Sequence, residues 1–579
     1  MVVKKLFRSV RQYKSVTIKA SVYKLLEVVL DVLIPFYMAF LIDFGIEPGD
    51  LDYTKKMGIF LLVLGVVSLC LGTMSGICTA KASTGFAANL RLDVFDRILG
   101  FSFYNIEHFS EASLVTRLTT DTYNILLAYQ AIIRQAVRSI GMIVFSLIMS
   151  FTINLKMSLI LLLLIPFLGG GLYFIISRAH PLFQKAIKTY DSLNRVVQEN
   201  LQGIRVVKSF VREDKETEKF QDISTNIYES FTKAQGWVSF NMPFIQFCTY
   251  LGMLLISWVG AKLIVSDELS TGELTSFIAY IIQILVNLMM LSIVFVQILI
   301  ARSSAERIVE VLDEVPSIQS PENPVTQVRD GSIVFEDVSF SYVNDKDKAS
   351  LSQISLEIKS GETIGIIGGT GSSKTSLVQL VPRLYDASSG RVSVGGVDVR
   401  CYDIKALRDE VAMVLQKNIL FSGTIRENLM WGNMQASEED IIHACTLAQA
   451  HDFIMSFPDG YDTLIEEGGT NVSGGQRQRL CIARALIKKP KVLILDDSTS
   501  AVDTKTDASI RRAFKDEIPN TTKLIIAQRI SSVQDADRII VMENGRIDAV
   551  GTHDQLLSSN RIYEEVYTSQ IQGGGDFDE

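Results

Sequence analysis

The residues best equipped for chemistry lie in the second half of the chain, where the apolar segment TIGIIG (363–368) runs into GTGSSKTS (369–376) and an apolar helix. A strand, a glycine-rich turn and a helix in that order form a phosphate-binding loop, in which backbone N–H groups and the positive end of the helix dipole face the oxyanion. The loop comprises Gly368, Gly369, Thr370, Gly371, Ser372, Ser373, Lys374, Thr375 and Ser376. Lys374 is expected to reach the β- and γ-phosphates of a nucleotide, and the Thr375 hydroxyl to bind Mg2+. One position departs from the usual G-x-x-x-x-G-K-[ST] pattern: Ser373 stands where the last glycine is expected. Downstream, KVLILD (491–496) reads as a buried strand whose Asp496 would hold the same Mg2+, and Asp497 follows in the position for activating water.

Such a loop needs a parallel sheet to hold it. From residue 333 onward, short apolar segments alternate with helical ones, the pattern of an α/β domain. The stretch SPENPVTQVRDGS (320–332), with two prolines and a glycine, reads as a linker. Before it the chain is a different material. Hydrophobic residues make up 48% of the whole and the mean hydropathy is +0.25, with the excess concentrated before about residue 305. Six apolar stretches, at 18–43, 57–80, 135–154, 157–178, 240–264 and 274–300, reach the roughly 20 residues needed to cross a hydrocarbon core of about 30 Å.

The links between these stretches are unequal. GIEPGDLDY (45–53) and VSDELSTGE (265–273) are short and acidic, whereas 81–134 and 179–239 are long, polar and rich in Lys and Arg. The positive-inside bias therefore places the N-terminus, both long connections and the C-terminal half in the cytoplasm, beneath the plasma (inner) membrane. Apolar residues recur every three or four positions in NLRLDVFDRILGF and VVQENLQGIRVVKSFVREDKETEKF, so these connections are predicted to be helices extending below the bilayer. Each turns back through a short segment, near 103–110 and near 203–210, that could press on a soluble domain. The basic start MVVKKLFRSVRQYK reads as an amphipathic helix on the inner membrane surface. Net charge is −8 with no basic block, which gives nucleic-acid binding no electrostatic support. Six scattered cysteines lack zinc spacing and read as buried, reduced thiols.

Glu27 and Asp31 share one helical face within the first span. A carboxylate in mid-membrane costs about 2.5–3.5 kcal/mol on insertion scales, so the pair is a candidate contact for a cationic substrate unless a basic neighbour such as Lys24 reaches it. Gln246, Gln283 and Asn287, among the Met and aromatic residues of the last two spans, are candidates to line an adaptable apolar pocket; ordinary helix packing explains the aromatics as well.

Between the phosphate loop and Asp496 lies VSGGQRQRLCIARAL (472–486), and with it the chain resembles the ATP-binding cassette (ABC) family, whose signature is LSGGQ. The resemblance covers the whole chain and looks like a half-transporter of the exporter type. It implies a six-helix transmembrane domain followed by an α/β nucleotide-binding domain with a helical subdomain, taken here as 1–318 and 333–571, with a linker at 319–332 and a flexible tail at 572–579. It implies ATP and Mg2+ as cofactors, a lipid bilayer as surroundings and a second half-transporter chain as partner. Tyr342 in VSFSY would stack on adenine, Gln416 would join Thr375 and Asp496 around Mg2+, and SAVD (500–503) with Asp503 would be the D-loop. Val472, Ser473, Gly474, Gly475 and Gln476 would act on the ATP held by the partner.

Beyond Ser373 in the phosphate loop and Val472 for the signature's Leu, two further positions depart from the family pattern. The base position, usually Glu, is Asp497, and the switch position, usually His, is Gln528 in LIIAQRIS. The chain alters the parts its own ATP site would use and keeps the signature it would lend. That asymmetry resembles the degenerate-site subunit of a heterodimeric multidrug exporter, moving amphipathic compounds outward. A homodimeric lipid or peptide exporter with two slow sites, and an ATP-gated channel or regulator on the same fold, stay open as alternatives.

Overall fold

The computed structural model describes residues 2–342, 349–498 and 501–573. Thr499, Ser500 of the SAVD run and the tail from 574 onward lie outside these residues. The chain divides into two compact units, one of residues 1–99 and 111–314, the other of 100–110 and 315–579.

The first unit is helical. Six of its helical stretches are long and apolar enough to cross a membrane: Lys4–Ile46, Leu51–Leu99, Glu111–Ile153, Leu155–Phe183, Glu213–Val265 and Thr271–Asp313. Side chains start two of the helices. Asn154 accepts from the backbone N–H groups of Lys156 (3.0 Å) and Met157 (3.3 Å) at the head of Leu155–Gln202, and Ser270 exchanges capping hydrogen bonds with Glu273 at the head of Thr271–Asp313. At about 1.5 Å per residue, the 48-residue helix Leu155–Gln202 is about 72 Å long, more than twice a hydrocarbon core. The expected turn-back segments are both short helices, Phe103–Phe109 and Ile204–Ser209.

Helices pack closely where one presents no side chain. A Cβ on Gly252 would lie 2.1 Å from Cδ1 of Ile281, so any larger residue there would displace that side chain where Asn241–Val265 meets Thr271–Asp313. Phe277 and Tyr280 are fully buried in this core, with the Tyr280 hydroxyl donating to the Val32 carbonyl at 3.1 Å. Phe247, Tyr250 and Phe295, expected beside them, are exposed instead.

The acidic pair of the first span is not left unmatched. Arg138, on the third span, places one guanidinium nitrogen 2.6 Å from Glu27 and another 3.0 Å from Asp31. Lys24 lies 2.5 Å from Glu27, and the Ser68 hydroxyl donates to Asp31 at 2.7 Å. Two cations thus face two carboxylates, as desolvated charges require. The basic neighbour that the sequence allowed for, Lys24, does reach Glu27, and Arg138 joins it. Gln283 belongs to the same network, donating to the Asp31 carbonyl at 3.4 Å, and Asn287 donates to the Gln283 carbonyl at 2.8 Å. Gln246 stands apart, bonded to the Tyr250 hydroxyl at 3.1 Å.

The second unit contains a six-stranded sheet in the order Arg546–Gly551, Arg538–Glu543, Thr363–Gly368, Thr522–Ile526, Val492–Asp496, Val411–Val414, parallel except for its first strand. Central strands buried on both faces explain the apolar runs VLIL (492–495) and LII (524–526). A four-stranded antiparallel sheet, Leu351–Ile358, Ile333–Phe340, Ser389–Val394 and Val397–Asp398, packs into the same unit. Helices Ile425–Met430, Glu438–Leu447, His451–Met455 and Gly474–Ile487 supply the helical part.

Two segments sit differently from the sequence-based division. Gly100–Ser110 groups with the second unit, where the Tyr385 hydroxyl donates to Glu107 at 2.9 Å and the hydroxyls of Ser102 and Ser317 meet at 2.5 Å. The stretch expected as a linker is pinned to the same unit by Arg383 donating to the Gln319 carbonyl at 3.1 Å and by Ser320 donating to Asp403 at 3.1 Å. Of the cysteines, Cys248, Cys445 and Cys481 are buried as expected, whereas Cys70 and Cys401 are exposed.

Breaking the intramembrane network from its cationic side leaves two carboxylates facing Lys24 alone. Arg138→Met is expected to destabilise the chain in nanodiscs by about 3 kcal/mol, read as a lowered unfolding temperature, and Arg138→Met combined with Asp31→Asn to recover part of the loss.

Candidate functional site

The parallel register brings the chemistry together. Ile526 pairs with Asp496 on one side and Ile366 on the other, so three strands end level and their following loops share one crevice. Thr363–Gly368 leads into the phosphate loop, Val492–Asp496 into Asp497, and Thr522–Ile526 into Gln528.

The loop has the shape its sequence implies. Gly371 has φ +84°, and a Cβ added at Gly369 or Gly371 would meet nothing within 4 Å, leaving the backbone open to a ligand. Ser373 has φ 66° and ψ 28°, the left-handed conformation that glycine supplies without cost and a side chain adopts only with strain. Lys374 arches back over the loop, donating to the carbonyls of Gly368 (2.8 Å) and Gly369 (2.9 Å) and to the Ser372 hydroxyl (3.2 Å). Burial holds its ammonium below the usual lysine value, opposed by Asp496 and Asp497.

Thr375 donates to one Asp496 oxygen at 3.1 Å. The other, Oδ2, and the Ser498 hydroxyl are buried without a hydrogen-bond partner among the described residues. Unmet acceptors beside an open phosphate cradle fit a divalent cation shared with phosphate oxygens, the manner in which Mg2+ is usually held. Burial raises the Asp496 carboxyl above its ordinary value, with neighbouring Asp497 adding to the shift and Thr375 and Lys374 opposing it.

Asp497 is the meeting point of the crevice. Its backbone adopts φ 50° and its N–H donates to the Ile526 carbonyl at 3.0 Å. Its carboxylate accepts from Gln528 Nε2 at 2.7 Å and from the Gln416 side chain. Burial raises this carboxyl too, against those two hydrogen bonds and the charges of Lys374 and Arg529. Gln416, Asp497 and Gln528, named separately in the sequence, thus form one cluster. Gln570 was not anticipated: it lies on helix Arg561–Gly573, donates to the Gln528 carbonyl at 2.8 Å and accepts from Ile530 N–H at 2.9 Å. No motif marks it, because its partner is backbone some forty positions upstream.

The other expected site residues lie in the same unit. The Tyr342 hydroxyl meets that of Ser376 at 2.9 Å and donates to Gln379 at 3.2 Å, while its ring packs edge-on against Tyr385 at 5.1 Å. Ser473 caps helix Gly474–Ile487, accepting from Gln476 N–H at 3.3 Å while Gln476 accepts from Ser473 N–H at 2.9 Å. Val472 is buried beneath. Among the described residues no hydrogen bond or ion pair joins Val472–Gln476 to the phosphate loop. Asp503 caps helix Thr504–Glu517, and Ala501 N–H donates to Gln478 of the signature helix at 3.0 Å.

Comparison with known proteins agrees with this geometry. Residues 18–289 match the family described as the ABC transporter transmembrane region, and residues 351–500 the family described as ABC transporter. An uncharacterized ABC transporter ATP-binding protein of Bacillus subtilis, YfiB, is 36% identical over 552 residues, covering 95% of this chain and 96% of the relative. A second B. subtilis protein, YgaD, provisionally named a multidrug export ATP-binding/permease protein, is 34% identical over 421 residues, 72% of each chain. The structure of a bacterial Atm1-family ABC exporter with ATP bound superposes with a TM-score of 0.83 at 23% identity, covering 96% of this chain and 99% of that one.

The chain belongs to the ABC transporter family. It is a multi-pass membrane half-transporter of the exporter fold, with a transmembrane domain followed by an ATP-binding domain.

Ser373 offers a direct check of the loop geometry. Ser373→Gly removes left-handed strain of about 1–2 kcal/mol and adds about 0.4–1 kcal/mol of unfolded-state entropy. A net stabilisation of roughly 0.5–1 kcal/mol is expected by thermal unfolding, whereas Ser373→Val, β-branched at the same φ, lowers stability.

Proposed function

We infer that this chain is one half of a heterodimeric exporter and that the ATP site on its own phosphate loop is the weaker of the pair. The observation that carries this reading is Asp497 held between two neutral amides, Gln528 and Gln416, where a longer carboxylate and an imidazole would form the stronger site. General base catalysis is worth about 10²–10⁴-fold and falls steeply with misplacements near 1 Å. An aspartate is set back by about one C–C bond, so ATP binds and water activation is slow. Gln528 donates a hydrogen bond but can neither carry charge nor relay a proton as histidine does.

The binding half of the site is retained. Lys374, the loop amides and Tyr342 would hold the nucleotide, with Thr375, Asp496 and Gln416 around Mg2+, which supplies charge neutralisation when bound. On the other face the signature is complete. The Ser473 oxygen accepts from its own helix, leaving its hydroxyl proton, the amides of Gly474 and Gly475 and the positive helix end for the γ-phosphate of the partner's ATP. The D-loop with Asp503 connects directly to that helix through Ala501 and Gln478.

The proposed cargo is an amphipathic compound moved outward across the plasma (inner) membrane, with the N-terminus and the nucleotide-binding domain cytoplasmic. A relative provisionally named for multidrug export supports this, as does an intramembrane acidic pair already balanced by Arg138 and Lys24.

ATPase rates separate the readings. The purified chain alone is expected to turn over about 10²-fold more slowly than the chain mixed with the half-transporter encoded beside it, and Asp497→Glu with Gln528→His is expected to raise the rate of the lone chain. Ser473→Ala in this chain should then abolish the fast rate of the mixture. Rapid hydrolysis by the lone wild-type chain would replace the heterodimer with a homodimer.

A further inference from the structure

At the amino ends of the parallel strands, the sheet edge opposite the phosphate loop, the second unit holds a cavity of about 420 Å3. Small-ligand pockets fall at roughly 300–1,000 Å3. One wall is helix Thr504–Glu517 and another is the segment 532–537, with Phe514 and Ile525 among the apolar lining. Four cationic side chains line it: Arg511, Arg512, Lys515 and Lys523.

Lys523 is the unusual member of this set. It lies within the sheet on Thr522–Ile526 and is 3% exposed, yet among the described residues no hydrogen bond or ion pair holds its ammonium. Asp537 acts on it only through space, and burial holds it below the usual lysine value. Its stem is buried while its ammonium borders the cavity, and a partly desolvated ammonium of this kind favours a counter-charge. The acids nearby are engaged elsewhere. Asp535 is bound by Arg511 at 2.8 Å, Arg511 also reaches Asp507 at 3.3 Å, and Asp537 accepts from Thr363 N–H at 2.8 Å. Lys523, Arg512 and Lys515 have no ion-pair partner among the described residues, and the four cations exceed the three acids beside them, Asp507, Asp535 and Asp537, by one.

We propose that this cavity binds a small phosphate-class oxyanion, free or carried by a small phosphorylated metabolite, with Lys523 as its central cation and Arg512 and Lys515 completing the ring. The site is separate from the phosphate loop and holds whether the transporter is a heterodimer or a homodimer. It also joins two segments that follow site residues: its helix is capped by Asp503, its other wall follows Gln528, and Ser532 donates to Asp507 across them at 2.9 Å. An anion there ties the D-loop helix to the switch segment.

The test uses the full chain in nanodiscs of neutral lipid, in phosphate-free buffer, with the phosphate loop filled by a non-hydrolysable ATP analogue and Mg2+. Inorganic phosphate and glycerol 3-phosphate are titrated while unfolding temperature is followed. The wild type is expected to show saturable stabilisation. Lys523→Met is expected to be the more stable protein without anion and to lose at least tenfold in apparent affinity. The surface pair Arg512→Gln/Lys515→Gln, which leaves the sheet untouched, is expected to lose several-fold and decides the matter if Lys523→Met does not fold. Tighter binding of glycerol 3-phosphate assigns the anion to a metabolite, and tighter binding of phosphate to the free ion. No saturable response in the wild type, or an unchanged response in the variants, overturns the proposal.

Discussion

The parallel register of three strands is the constraint on which the nucleotide site depends. Ile366, Ile526 and Asp496 lie side by side, so the loops that follow them begin at one level. Asp497 lies more than a hundred positions beyond the phosphate loop and Gln528 another 31 beyond that, and this alignment brings a carboxylate, an amide and a lysine into one crevice. A slip by one residue would turn each side chain to the opposite face of the sheet, since strand side chains alternate. Full burial of the central strands on both faces forbids that slip.

The two units treat buried charge in opposite ways, and the difference follows from what each must do. Within the membrane unit Arg138 and Lys24 match Glu27 and Asp31, as a low-dielectric setting without water demands. In the nucleotide unit, among the described residues, Asp496 keeps one oxygen unbonded and Lys374 is satisfied by loop carbonyls and a hydroxyl. Groups held in this state are poised for a ligand that brings its own charge: the lysine for phosphate, the acid for a divalent cation.

What was legible in the sequence follows from the range of the interactions. The phosphate loop, the signature and the six spans are contiguous patterns, each written by local geometry: a turn needing glycines, a helix needing a cap, a helix long enough for a bilayer. Ser473 and Gln476 could be read as a capping pair because the partners are three residues apart. Arg138 could have been noticed, as a guanidinium inside an apolar span requires a carboxylate, yet its partner is more than a hundred residues away. Gln570 could not have been noticed, because an amide bonding to backbone leaves no trace in residue type. The grouping of Gly100–Ser110 with the second unit was hidden for a related reason, resting on Glu107 and Tyr385, distant in sequence.

Asp497 shows how one position can be altered without loss of the fold around it. Its left-handed backbone and its hydrogen bond to the Ile526 carbonyl are independent of side-chain length, so the strand end accommodates Asp as well as Glu. The shorter carboxylate is held by Gln528 and Gln416, both neutral donors. Such donors favour the charged carboxylate that burial disfavours, and they compete for the lone pairs a water molecule would use. On the proposed reading, the contacts that hold Asp497 also oppose its use as a base, while the phosphate loop beside it is untouched. On that reading, binding and hydrolysis come apart at this residue, since the first depends on loop backbone and Lys374 and the second on where one carboxylate reaches.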